Sequence, residues 1–156
     1  MKIVDMSVNK FVLLLLLVLL LTGCSLKKNE EITCVASTGD LGGNYASSTS
    51  SLNYKFEKGH LSRIIMTMDI SFSENSTLKD SEKEASIREL LTDYYSLEHM
   101  DASYRRVDSN HYVIDLDVDY KNLTDEELKS FTYTKEQTTD IDYLARSYEA
   151  QGYKCE

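Results

Sequence analysis

Proline and tryptophan are absent from the chain. Without proline there is no collagen-like repeat, no polyproline linker and no proline-rich ligand motif. Basic residues are few beside acidic ones: 17 Lys and Arg against 26 Asp and Glu, a formal net charge of -9. That sign disfavours a nucleic-acid-binding module, which needs a positive surface. Cysteine occurs three times, with no Cys-x-x-Cys pair to support thiol-redox chemistry. At 156 residues the chain has the length of one domain, too short for a two-domain solute-binding protein or a barrel enzyme. What is present, 42% hydrophobic and 28% charged residues, suits a globular domain and argues against wholesale disorder.

The one long apolar run is Phe11 to Leu21. As a helix it would span about 16 Å, roughly half a bilayer core. It suits the hydrophobic region of an export signal, with Lys2 and Lys10 as the positive region before it. The run ends in Leu21-Thr22-Gly23-Cys24, small residues directly before a cysteine. This resembles the bacterial lipobox, in which the thiol is acylated and the leader is cut before the cysteine. The competing readings are a leader cut elsewhere and a hydrophobic anchor that ends in Cys by chance. The lipobox reading divides the chain into a signal peptide over 1–23, a polar tether over 24–31 and a single domain over 32–156. It places the protein on the extracytoplasmic face of a bacterial cell membrane, held by lipid on Cys24.

Cys34 and Cys155 remain, an even pair near the two ends of an exported domain. Outside the cytoplasm such a pair reads as a disulfide closing a loop of about 120 residues, which the chain-entropy model values at about 4–5 kcal/mol. Two free thiols are the alternative.

The rest of the chain predicts an α+β fold. Ile32 to Ser37 reads as a first strand, and residues 37–51, rich in Ser, Thr and Gly, as a flexible loop. Leu52, Tyr54 and Phe56 alternate with polar residues, and Lys58-Gly59 makes a turn into a long strand over Leu61 to Phe72. Ile87, Leu90, Leu91, Tyr94 and Leu97 lie at helical spacing, predicting a helix over 82–99 opened by a Ser81–Glu84 capping box. Ser103 to Val107 and His111 to Tyr120 predict a second hairpin around Asp108, Ser109 and Asn110. Thr124 to Glu127 opens a short helix through Phe131, and Thr139-Asp140 opens a last one ending at Gly152. The sum is an antiparallel sheet of about five strands with two to three helices packed on one face.

Candidate sites are few. Asp115, Asp117 and Asp119 share one face of a strand, about 6.5–7 Å apart, and could hold a calcium ion with help from another strand. Pairing with Arg63, Arg105, Arg106 or Lys55 across strands is the plainer reading. His60, His99 and His111 fall in a turn, a helix end and a strand start, with no ligand spacing and no nucleophile motif beside them. No catalytic residue and no cofactor is assigned.

The lipobox, the segment Leu52-Asn53-Tyr54-Lys55-Phe56-Glu57-Lys58-Gly59-His60-Leu61, the amphipathic helix, the second hairpin and the ending Tyr148-Glu149-Ala150-Gln151-Gly152-Tyr153 resemble the YehR-like bacterial lipoproteins over about residues 50–154. The resemblance implies an α+β fold and a lipoprotein, without an activity. The expectation is a lipid-anchored, non-catalytic module that binds an unidentified protein or envelope ligand through a sheet face or the Ser/Gly segment. The alternatives are an accessory subunit of an envelope enzyme or transporter, and a small hydrolase or calcium-dependent enzyme. A cleft with convergent carboxylates and a histidine would favour the enzyme; a flat exposed apolar patch would favour partner binding.

Overall fold

The computed structural model describes residues 29–42, 44–92, 94–95 and 97–156. The leader and Cys24 therefore lie outside the described residues, and no described helix is long and apolar enough to cross a membrane.

Three strands of equal length form the middle of the fold: β1 (Glu30–Gly42), β2 (Tyr45–Glu57) and β3 (His60–Phe72). After them come α1 (Asp80–Leu91), β4 (Met100–Arg106), β5 (His111–Val118), α2 (Lys135–Thr139), α3 (Ile141–Glu149) and β6 (Lys154–Cys155). The described strands make one antiparallel sheet in the order β4-β5-β3-β2-β1-β6. This is the expected α+β arrangement with six strands rather than about five. The extra one, β6, is two residues long, too short to leave a periodic pattern.

The alternation in β3 sorts the sheet's two faces. Ile64, Met66, Met68, Ile70 and Phe72 point to one side, together with Leu52, Tyr54 and Phe56 of β2 and Tyr112, Ile114, Leu116 and Val118 of β5. The helices cover this side. Ile87 and Leu91 of α1 pack over Ile70, Phe72, Tyr112 and Ile114, while Leu144 of α3 packs over Leu52, Tyr54, Phe56 and Ile64. The other side carries Thr33, Ser51, Asn53, Thr67, Asp69, Asp101, Ser103, Asp115 and Asp117.

The predicted Ser/Gly loop over 37–51 is corrected: it is the end of β1, a tight turn and the start of β2. Ser47 to Ser51 pair on one side with Gly39 to Val35 and on the other with Ser71 to Thr67. A strand with a hydrogen-bonded neighbour on each side forms despite its composition, because the ladder satisfies its backbone and small hydroxylated side chains fit the pleat. The helix predicted to run to residue 99 ends at Leu91, with Thr92 as its cap. Its first turn is closed by the Glu82 carboxylate, which accepts from the Lys79 amide at 2.7 Å, not by Ser81. Leu90, counted into the apolar stripe, is 51% exposed, whereas Tyr94 and Leu97 reach the core from beyond the helix end. The helix expected from Thr124 is a single 3-10 turn, Glu127–Ser130. Helix α2 was not anticipated; a capping box between Thr134 and Gln137 opens it.

The Lys58–Gly59 turn is as expected, with φ of 52° and 76°, the pair of positive values that suits a two-residue hairpin. At the end of α3, Gly152 takes φ 92°. Its amide donates to the Glu149 carbonyl at 3.0 Å and the Tyr153 amide to that of Tyr148 at 3.1 Å, so two orphan carbonyls of the helix end are satisfied. This reversal sends the last residues back to β1. There Thr33 and Glu156 exchange both backbone hydrogen bonds at 2.9 Å. The next pair, Cys34 and Cys155, has Cα atoms 4.0 Å apart and is joined by a disulfide. The free-thiol alternative is set aside.

Candidate functional site

Asp115, Asp117 and Asp119 do not act together. Asp115 accepts from the Thr67 hydroxyl at 2.9 Å on the helix-free face. Both oxygens of Asp117 are occupied by Arg63, at 2.6 Å from Nε and 2.5 Å from the terminal nitrogen. Asp119 lies past the strand end, where Asn122 donates to it at 2.8 Å. Among the described residues no group of three His, Cys, Asp or Glu side chains is arranged to hold a metal ion. The cross-strand pairing with Arg63 is therefore the reading that the geometry carries for Asp117.

Asp117 and Asp119 do line a cleft of about 470 Å³ at one end of the sheet, with Arg63, Glu98, His99 and Asp101. Strands β2 to β5 contribute to it. Asp101 of β4 stands directly opposite Asp117 of β5, and Arg63 of β3 reaches across to Asp117. Two like charges side by side repel, and the guanidinium relieves part of that repulsion. A shallower cleft of about 430 Å³ adjoins it, sharing Glu57, Ser62 and Arg63 and reaching Asn29, Glu30 and Lys55.

The wall of the first cleft contains a pairing that the sequence did not announce. Glu127 is buried, 5% exposed. Its carboxylate accepts from the Thr124 amide at 2.8 Å, the Thr124 hydroxyl at 2.9 Å and the His99 amide at 3.2 Å. The His99 ring completes the set, with Nδ1 at 2.9 Å. The Thr124 amide, then the ring and amide of His99, hold the Glu127 carboxyl down to about 2 against the opposing effect of burial. The hydrogen bond to Glu127 raises His99, with Glu98 and Asp119 adding to it. The carboxylate fixes Nδ1 of His99, which lines the cleft, as in an oriented acid–base histidine. The signal for half of this was legible, since Thr124 and Glu127 form the capping box foreseen there. The histidine, 28 residues away, was not. His111 pairs with Asp69 at 2.7 Å, outside the cleft.

Two other features were missed. Lys83, in the first turns of α1, is 6% exposed. Its ammonium donates to the Asn110 side chain at 2.7 Å and lies 5.9 Å from the Phe72 ring centre, tying α1 to the β4–β5 turn. Tyr54, Tyr133 and Tyr148 gather their hydroxyls into one half-buried triangle. These three tyrosines thus belong to the core and its margin. Among the described residues the exposed large apolar side chains, Val35, Leu90, Tyr95, Val107 and Tyr143, are distributed over β1, the end of α1 and the segment after it, the β4–β5 turn and α3.

No family model matches the chain, and no curated protein matches its sequence. An NMR structure of a protein from Streptococcus pneumoniae TIGR4 is similar in fold, with a TM-score of 0.55 and 11% identity, over 83% of this chain and 86% of that one. The likeness concerns the fold alone.

Proposed function

We propose that the protein is a lipid-anchored, extracytoplasmic bacterial lipoprotein of the YehR-like kind, a non-catalytic module that engages an envelope partner through the helix-free face of its sheet. The observation that carries the reading is the Cys34–Cys155 disulfide. A bond of that kind persists in an oxidising compartment, which is where a leader ending in Cys24 would deliver the domain. The binding role is supported by the asymmetry of the sheet: helices cover one face and leave the other, which mixes acidic and hydroxyl side chains with Val35, Ile65 and Val113 and is built from five strands, without a second layer.

The anchor is tested by expressing the full chain in a bacterial host and determining the mass of its N-terminal peptide. The expected product begins at an acylated Cys24 and partitions into detergent, and Cys24→Ser moves it to the aqueous phase. A bare thiol with the leader still attached would overturn the reading. The binding face is tested with a photo-crosslinker at Ser103 on the open face or at Glu89 on α1. Products confined to position 103 support the assignment, and products confined to position 89 refute it.

One observation favours a second reading, a small envelope enzyme: the cleft brings together His99, oriented by Glu127, and the carboxylates of Asp101, Asp117 and Asp119. Turnover of chromogenic ester or peptide substrates that is lost in His99→Gln would establish it in place of the first.

A further inference from the structure

The first described residue, Asn29, sits against the β2–β3 turn: its side-chain oxygen accepts from the Lys58 amide at 3.4 Å, and Glu30 next to it pairs with Phe56. The chain thus enters the fold at the end of the sheet that carries both clefts. Five Cα-to-Cα steps separate Asn29 from Cys24, a reach of about 18 Å when fully stretched. The opposite end of the hairpins, where the Ser73 amide donates to the Asn44 carbonyl at 2.8 Å, lies one strand length further on. For strands of this length that is about 40 Å.

We infer that the Lys58–Gly59 end of the sheet is the membrane-facing end of the domain, so that the cleft of Arg63, Asp117 and His99 opens beside the bilayer while the Asn44–Ser73 end forms the outer tip. The inference rests on the lipid anchor at Cys24 proposed above. The tether is too short to let the two ends exchange places. Charge opposes the remaining alternative, a domain lying flat on the membrane. One broad face carries Asp69 and Asp115, the other Glu82, Glu89 and Glu149, and the whole chain has a net charge of -9. An anionic surface repels both faces. Lys27 and Lys28 lie between the anchor and Asn29 in the sequence, and the exposed Lys58 stands at the entering end. A ligand of the cleft is therefore presented at the bilayer surface rather than from the cell exterior.

The test uses the acylated full chain, purified from host membranes and carrying one fluorophore at Lys58→Cys or at Glu74→Cys. It is reconstituted into phosphatidylglycerol–phosphatidylcholine vesicles whose headgroups bear a nitroxide quencher. The expected result is co-flotation with the vesicles and quenching at position 58 that exceeds that at position 74 by roughly threefold or more, since the positions are a strand length apart. Co-flotation with equal quenching, or with more at position 74, overturns the inference and leaves the anchor intact. Failure to float, with Cys24 bare by mass, overturns both. A Cys24→Ser chain gives the unquenched reference for each label.

Discussion

The hydroxyl of Tyr54, on β2, donates to the hydroxyl of Tyr148, on α3. Tyr133 closes the triangle, 3.1 Å from the first and 3.3 Å from the second. Each phenol has one proton to give and lone pairs to receive, so three of them can satisfy one another without water. The contact joins the middle of the sheet to the last helix, and Tyr148 also packs edge-on against Tyr153, 5.1 Å away between ring centres.

Burial, with the neighbouring phenols, pushes Tyr54 and Tyr133 far above the ordinary tyrosine value of 10.0. The fold therefore favours their neutral forms. Their contribution to stability is complete below about pH 10 and declines as pH rises beyond it. In an alkaline titration followed by tyrosinate absorbance, these two residues are expected to ionise only as the near-ultraviolet circular dichroism collapses. Tyr54→Phe, which removes one hydroxyl from the triangle, is expected to cost about 1 kcal/mol in urea unfolding.

The disulfide closes a loop with a sequence separation of 121. Replacing both cysteines by serine is expected to lower the unfolding free energy by about 4–5 kcal/mol, mostly by freeing the unfolded chain. Guanidinium unfolding with and without reductant measures it. The wild type under reductant should match the double variant.

The Glu127–His99 pair makes stability depend on pH at both ends. Glu127 is lowered from 4.5 to about 2, so its contribution is present above pH 4.5 and is lost as pH falls toward 2. His99 is raised above 6.5, so its contribution is present below that value and is lost as pH climbs through the raised one. Between the two, at mildly acidic pH, the pair is fully effective. Thermal melting across pH 2 to 9 is expected to show a plateau there in the wild type. Glu127→Gln should lower that plateau and flatten both limbs.

Gly152 and Gly39 both have open space where a Cβ would stand, but Gly152 has φ +92° and Gly39 has no positive φ. Gly152→Ala is expected to destabilise by about 1–2 kcal/mol through backbone strain alone. Gly39→Ala, in a strand, is expected to be neutral or to stabilise by about 0.5–1 kcal/mol by restricting the unfolded chain. Paired denaturation curves decide both.

The sequence was legible where a local pattern meets a local physical demand. Tyr54 and Ile64 declared their strands because alternate residues of a strand share a face, and Gly152 declared a helix end because few other residues accept its φ. Thr124 and Glu127 declared a cap. The pattern failed where neighbours rather than neighbouring positions supplied the stabilisation. Ser47 to Ser51 has the composition of a loop, yet hydrogen bonds from β1 and β3 hold it as a central strand. Leu90 has helical spacing, yet it faces solvent because the stripe's later members enter the core after the helix has ended.

The candidate site divides in the same way. That Asp117 would face away from the core was determined by alternation alone, since successive side chains of a strand must point to opposite faces. That it would meet Arg63, and that His99 would find Glu127, was decided only when the sheet brought together segments 54 and 28 residues apart. Two-residue β6 is the sharpest case: nothing in Lys154-Cys155 demands a strand, and only the paired edge of β1 makes it one. Covalent and backbone constraints are written in the order of residues, whereas partners across the fold depend on how the buried faces pack, and that is settled by the whole chain at once.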